Sequence, residues 1–97
     1  MKNVSILGTK YTVNEGTRAE IGLDPIVAGD CCSFDKTINV ATDTRYAKDT
    51  MRHEIIHAFI FESGFAFVLG DKEECVTEWL TIQLPKMIDA MNEVDAL

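Results

Sequence analysis

Arg52-His53-Glu54-Ile55-Ile56-His57-Ala58-Phe59-Ile60-Phe61-Glu62-Ser63 is the stretch around which the chain reads. On an α-helix, residues four apart lie on one face a turn from each other, so His53 and His57 can direct both imidazoles at one metal ion. Glu54, beside the first histidine, is placed to take a proton from water at that metal. His53 and His57 are the only histidines of the chain, and both fall in this HExxH register.

Working outward, Thr42-Asp43-Thr44 offers N-cap side chains, and a helix is predicted from Thr44 or Tyr46 to Ser63, with Gly64 in the C-cap position. Apolar residues occur on every side of this helix, which predicts burial all round, and a buried pair of histidines with a glutamate requires a partner such as a metal. Upstream, Thr37 to Ala41 alternates as a half-buried strand, and Val4–Leu7 with Lys10–Val13 reads as a hairpin turning at Gly8-Thr9. Asn14 to Pro25 reads as a loop with one helical turn at Arg18 to Ile21. Downstream, Asp71-Lys72-Glu73-Glu74 opens a second helix through Val76, Leu80 and Leu84, and Pro85 predicts a kink or a new segment there. The aromatic residues Phe59, Phe61, Phe65, Phe67 and Trp79 read as core.

The predicted fold class is therefore α+β: a small N-terminal sheet of three or four strands packed on the HExxH helix, followed by a glutamate-bearing helix. Ninety-seven residues make one small domain, 1–97. The apolar fraction of 46% and the near-zero mean hydropathy are those of a folded globular chain. A net charge of −7, with nine scattered Lys and Arg, excludes a nucleic-acid surface. The N-terminal apolar run is cut by Gly8, Thr9 and Lys10, so it is not a signal peptide. No stretch is long enough to span a membrane, and a cytoplasmic location is the expectation. Three cysteines, two of them adjacent, do not form a disulfide framework.

A catalytic zinc takes three protein ligands and keeps one position open. With no third histidine, and with Glu62 on a different side of the helix from His57, the third ligand is expected from the next helix. Glu73 continues the stripe Val76, Leu80, Leu84 and Met87, whereas Glu74 lines up with Glu78 and Thr81 on a polar flank. Glu73 is therefore preferred over Glu74. A thiolate from Cys31 or Cys32 could occupy the open position and hold the site inactive, although packing or surface thiols are the simpler reading. Tyr46, on the histidine face, reads as a packing residue rather than an oxyanion donor.

HEIIHAFIFESG followed by the glutamate helix resembles zinc metallopeptidases of the gluzincin kind. It looks most like minimal members and small phage or prophage-encoded ones, with a looser similarity to the ImmA/IrrE type; the likeness runs from about Thr37 to Met87. The resemblance implies one Zn²⁺ held by His53, His57 and Glu73, with Glu54 as general base in peptide-bond hydrolysis. It also implies that the strand before the active-site helix, Thr37 to Ala41, borders the cleft and pairs with an extended peptide or protein substrate. A non-catalytic zinc-bearing or protein-binding module that keeps the same site is the alternative.

Overall fold

The computed structural model describes residues 2–97. Strands β1 (Lys2–Ile6) and β2 (Thr9–Gly16) are joined by Leu7 and Gly8, both at positive φ (51° and 86°), the two-residue turn whose twist suits a hairpin. The turn thus lies one residue earlier than the sequence suggests. Strand β2 is the long central strand. Lys2 to Ile6 pair with Val13 to Thr9 in antiparallel fashion, while Thr12 to Gly16 pair in parallel with Thr37 to Ala41 of β4 (Thr37–Ala41). Strand β3 (Gly29–Cys32) lies antiparallel to β4 on its far side, giving the order β1-β2-β4-β3.

The fold is accordingly α+β, a four-stranded mixed sheet at the N-terminus packed against two helices. One expectation is corrected here. The edge strand is β3, and Thr37–Ala41 is an interior strand. Gly-Asp-Cys-Cys carries neither alternation nor β-branched residues, so its pairing comes from β4 and not from its own pattern.

Between β2 and β3 the predicted single turn forms, closed by a reciprocal cap. The Thr17 backbone N–H donates to Glu20 Oε1 at 2.8 Å, and the Glu20 N–H donates to Thr17 Oγ1 at 3.2 Å. Helix α1 (Ala47–Glu62) begins at Tyr46 with no side-chain cap. Thr44 Oγ1 instead donates to the Ala41 carbonyl, and Asp43 accepts from Arg18, so the expected capping residues serve the preceding turn. The other end closes as anticipated: Gly64 at φ 79° lets its own N–H reach the Phe61 carbonyl and that of Phe65 reach Ile60, both at 3.0 Å.

The inner face of the sheet supplies Ile6, Tyr11, Val13, Ile38 and Val40, and α1 lays Ala47, Met51, Ile55 and Ala58 against it, positions spaced at helical intervals. At the far end of α1, Glu62 accepts hydrogen bonds from Tyr11 Oη (2.6 Å), Lys36 Nζ (2.7 Å) and Thr9 Oγ1 (3.3 Å). The Lys36 ammonium holds the Glu62 carboxyl below the usual carboxylate range, while burial and the same carboxylate push Tyr11 up to about 12.

Helix α1 is not buried all round, since Phe59 and Phe61 are 42% and 40% exposed. Phe65, Phe67 and Trp79, expected as core, are also at the surface. With only one sheet and one other helix to cover it, so small a chain cannot enclose every apolar side.

After α2 (Ala66–Leu69) and a 3₁₀ turn (Gly70–Lys72), helix α3 (Glu73–Glu93) runs through Pro85 without interruption. Proline cannot donate to the carbonyl four residues back, that of Thr81. Arg52 Nη1 donates to that carbonyl at 2.8 Å in its place. No helix among the described residues is long and apolar enough to cross a membrane.

Helix α1 approaches the edge strand at Gly29, where an added Cβ would lie 2.7 Å from both the Asn39 carbonyl oxygen and Thr50 Cγ2. Gly29→Ala is expected to force helix and strand apart and to cost about 1–3 kcal/mol, read as a lowered urea midpoint at unchanged slope. A midpoint equal to the parent's would show that the two elements have room to separate.

Candidate metal centre

His53 and His57, one turn apart on α1, turn their rings toward the first turn of α3, with the two Nε2 atoms 3.2 Å apart. The carboxylate that meets them belongs to Glu74. Its Oε1 lies 2.8 Å from His53 Nε2 and its Oε2 lies 3.1 Å from His57 Nε2. A tetrahedral ion bonded at about 2.0–2.1 Å sets its ligand atoms about 3.3–3.4 Å apart. The two Nε2 atoms are close to that spacing, and the Glu74 carboxylate straddles them, one oxygen toward each ring. The donors lie within 4.8 Å of one another, a group that could hold a metal ion.

The sequence favours Glu73 as third ligand, whereas the carboxylate against both Nε2 atoms is that of Glu74. Glu73 Oε2 lies 2.6 Å from His57 Nδ1, on the opposite side of the ring from the metal-facing nitrogen. A carboxylate only accepts, so with a metal at Nε2 the Nδ1 proton would be donated to Glu73 and the Nε2 lone pair would face the ion. Thr81 Oγ1, which donates to the Thr77 carbonyl at 2.7 Å, lies 3.5 Å from His53 Nδ1 and is oriented to do the same for that ring.

The reason lies in the helix interface. The residues of α3 that are buried are Thr77 and Thr81, not the large apolar residues, and Glu74 lies on their line one turn earlier. The stripe Val76, Leu80, Leu84 and Met87 is only partly covered. Glu73 is nonetheless the more buried of the two carboxylates, with 27% of its side chain exposed against 60% for Glu74.

Glu54 faces the same cavity, of about 400 Å³, whose wall also includes Gly29, Asp30, Cys31, Ser33 and Phe61. Only 8% exposed, its carboxylate receives no hydrogen bond from the described residues, and burial pushes its pKa up to about 7 against the pull of His57. Cys31 is the cysteine on the cavity wall, while Cys32 donates to Asp35 at 3.4 Å. Burial, with Glu54 nearby, pushes the Cys31 thiol up to about 11, so it stays protonated at neutral pH and lies outside the three-donor group. Tyr46 is 63% exposed and does not line the cavity. Asp30 and Gly29 were not singled out from the sequence, because neither belongs to a pattern that marks the site.

Two outcomes follow from these contacts. Glu74→Ala is expected to abolish stoichiometric metal uptake, whereas Glu73→Gln should weaken it about 10- to 100-fold by releasing the His57 ring; equal losses in both, measured by competition with a chromophoric chelator, would overturn the division of roles. The second concerns protein stripped of metal. The folded state holds the Glu54 proton up to about pH 7, whereas the unfolded chain releases it near pH 4.5. Folded stability therefore falls as pH rises through that window and levels off above it. Glu54→Gln should then be the more stable protein at pH 8, by about 2–3 kcal/mol at most, and show little advantage at pH 4. Equal urea midpoints at pH 8 would contradict this.

In comparisons with family models, curated proteins and solved structures, nothing matches this chain. What the structure itself holds is a His53, His57 and Glu74 group, on two packed helices, that could bind a metal ion.

Proposed function

We propose that this chain is a zinc-dependent peptidase of gluzincin type, with His53, His57 and Glu74 holding one Zn²⁺ and Glu54 acting as general base. The observation that carries the reading is the buried, unpartnered Glu54 carboxylate beside three convergent metal donors in one open cavity. A set of two imidazoles and one carboxylate suits zinc, and both rings have a partner for Nδ1. Bound zinc supplies a Lewis acid for the scissile carbonyl and makes water acidic enough to react near neutral pH.

The chain's own residues do the rest. Glu54 takes a proton from the attacking water and then delivers it to the nitrogen of the departing amine as the C–N bond breaks. Strand β3 ends its sheet with one unpaired edge and contributes Gly29, Asp30 and Cys31 to the cavity wall. An extended peptide added along that edge would run past the histidines, and backbone hydrogen bonds would hold it independently of its sequence.

Zinc-loaded protein is expected to cleave an unfolded protein substrate, to stop on addition of chelator and to recover with zinc. Glu54→Gln should lower the rate by at least about 100-fold with one zinc retained. Activity surviving that substitution would overturn the role of Glu54. Bound zinc without turnover on any peptide would assign the chain to a non-catalytic zinc-bearing module instead.

A further inference from the structure

Three cavities follow one another along α1 and share walls. Toward the start of the helix, the metal cavity has Gly29, His53 and Glu54 in common with one of about 270 Å³ that also meets Asp49 and Thr50. Toward its end, the metal cavity shares Phe61 with another of about 290 Å³, lined by Phe61, Gly64, Ala66 and Phe67. His53, His57 and Phe61 stand at four-residue intervals, so Phe61 lies one turn, about 6 Å, beyond the second histidine on the same face. The groove is thus polar at one end and apolar at the other, with the candidate metal donors between.

None of the four residues at the apolar end is charged. Phe61 is held in place there: the Phe34 ring packs against it with centroids 6.5 Å apart, and the Lys36 ammonium, bonded to Glu62, lies 4.9 Å from its centroid. A ring that is already positioned loses little rotamer freedom when a guest packs on it. Phe67 lines the same cavity and is 98% exposed, so the fold itself leaves this aromatic side chain uncovered.

We infer that the cleft selects peptides with a large apolar side chain about two residues from the bond held at the metal, on the side toward Phe61, and that Phe61 and Phe67 set this preference. The inference rests on the reading of the cleft as a peptide site. Continuity of the groove identifies the occupant. Strand β3 and the turn after it run beside α1 in the same direction, with Gly29 close to Thr50 and Glu54 and Phe34 against Phe61. A peptide lying along β3 past the histidines therefore reaches Phe61 without leaving the groove. An extended chain advances about 3.3 Å per residue, so the 6 Å between His57 and Phe61 corresponds to about two residues. An apolar side chain at that point leaves water for the two phenylalanines, whereas a charged one would be desolvated with no partner on the cavity wall.

The test reads binding, so that it does not depend on turnover. Zinc-loaded Glu54→Gln protein is titrated with capped alanine-based peptides in which one Phe is moved through successive positions, alongside their Ser counterparts. At one position the Phe peptide is expected to bind about tenfold tighter than the Ser peptide. Phe67→Ser, which alters an exposed side chain, should remove most of that preference with zinc uptake unchanged, and Ala66→Leu should do the same by filling the slot. Equal affinities at every position, binding of neither peptide, or a Phe preference that survives both substitutions would each overturn the inference. So would a dimer in sedimentation that Phe67→Ser dissolves, with no Phe preference, which would assign the patch to contact between copies of the chain. Hydrolysis is read separately on the parent protein. A Phe preference without turnover keeps the apolar subsite and removes the peptidase reading, and turnover without the preference does the reverse.

Discussion

Helix α3 meets α1 through two threonines, and the candidate centre depends on how closely they let the helices approach. Thr77 is fully buried and Thr81 nearly so, at positions where Leu or Met would hold the axes apart. The close contact has a cost, because Thr77 Oγ1 is buried without a hydrogen-bond partner, worth about 1–3 kcal/mol. In return the first turn of α3 reaches the two imidazoles. Pro85 contributes at the same interface by leaving the Thr81 carbonyl free for Arg52, a bond from α1 that ties the helices together two turns along α3 from Glu74.

The sheet fixes the other side of the cavity by a second close approach. Gly29 allows β3 to lie against α1 near Glu54, its missing Cβ falling 3.6 Å from Glu54 Cγ. That contact buries the carboxylate and raises its pKa without giving it a donor. The Glu62 cluster at the end of α1 does the reverse: Lys36, Tyr11 and Thr9 all donate to that carboxylate. Two glutamates on one helix therefore play opposite parts. Glu62 is saturated with donors and anchors the helix, whereas Glu54 is left unpaired toward the open cavity.

Much of this was legible in the sequence where local pattern and tertiary structure agree. The hairpin, the Thr37–Ala41 strand, both long helices and the register of His53, Glu54 and His57 all follow from alternation, helical spacing and Gly64. Other features required knowledge of what packs against what. Strand β3 has no pattern of its own, and the exposed Phe67 and Trp79 look like core residues because hydropathy does not report whether the fold has a surface to cover them. The helical wheel pointed to Glu73, whereas Glu74 is the carboxylate that meets both Nε2 atoms, for a related reason. Large apolar residues dominate a helical wheel, yet the tightest helix contacts favour small ones, and the spacing of Glu74, Thr77 and Thr81 was the available signal.

Adjacent glutamates can divide two roles because successive helix residues point about 100° apart. Glu74 projects toward the shared Nε2 position, and Glu73 reaches around to the back of the His57 ring. Each role depends on the other, since Glu73 orients a ring that Glu74 alone could not hold, and Glu74 supplies the donor that a two-histidine site lacks. Both depend on α3 docking on α1, which the unfolded chain does not provide. Metal binding at these donors would thereby be coupled to folding. An ion that binds only the docked helices adds to folded stability by mass action, offsetting the unfavourable burial of Glu54 and of the Thr77 hydroxyl that make the cavity usable.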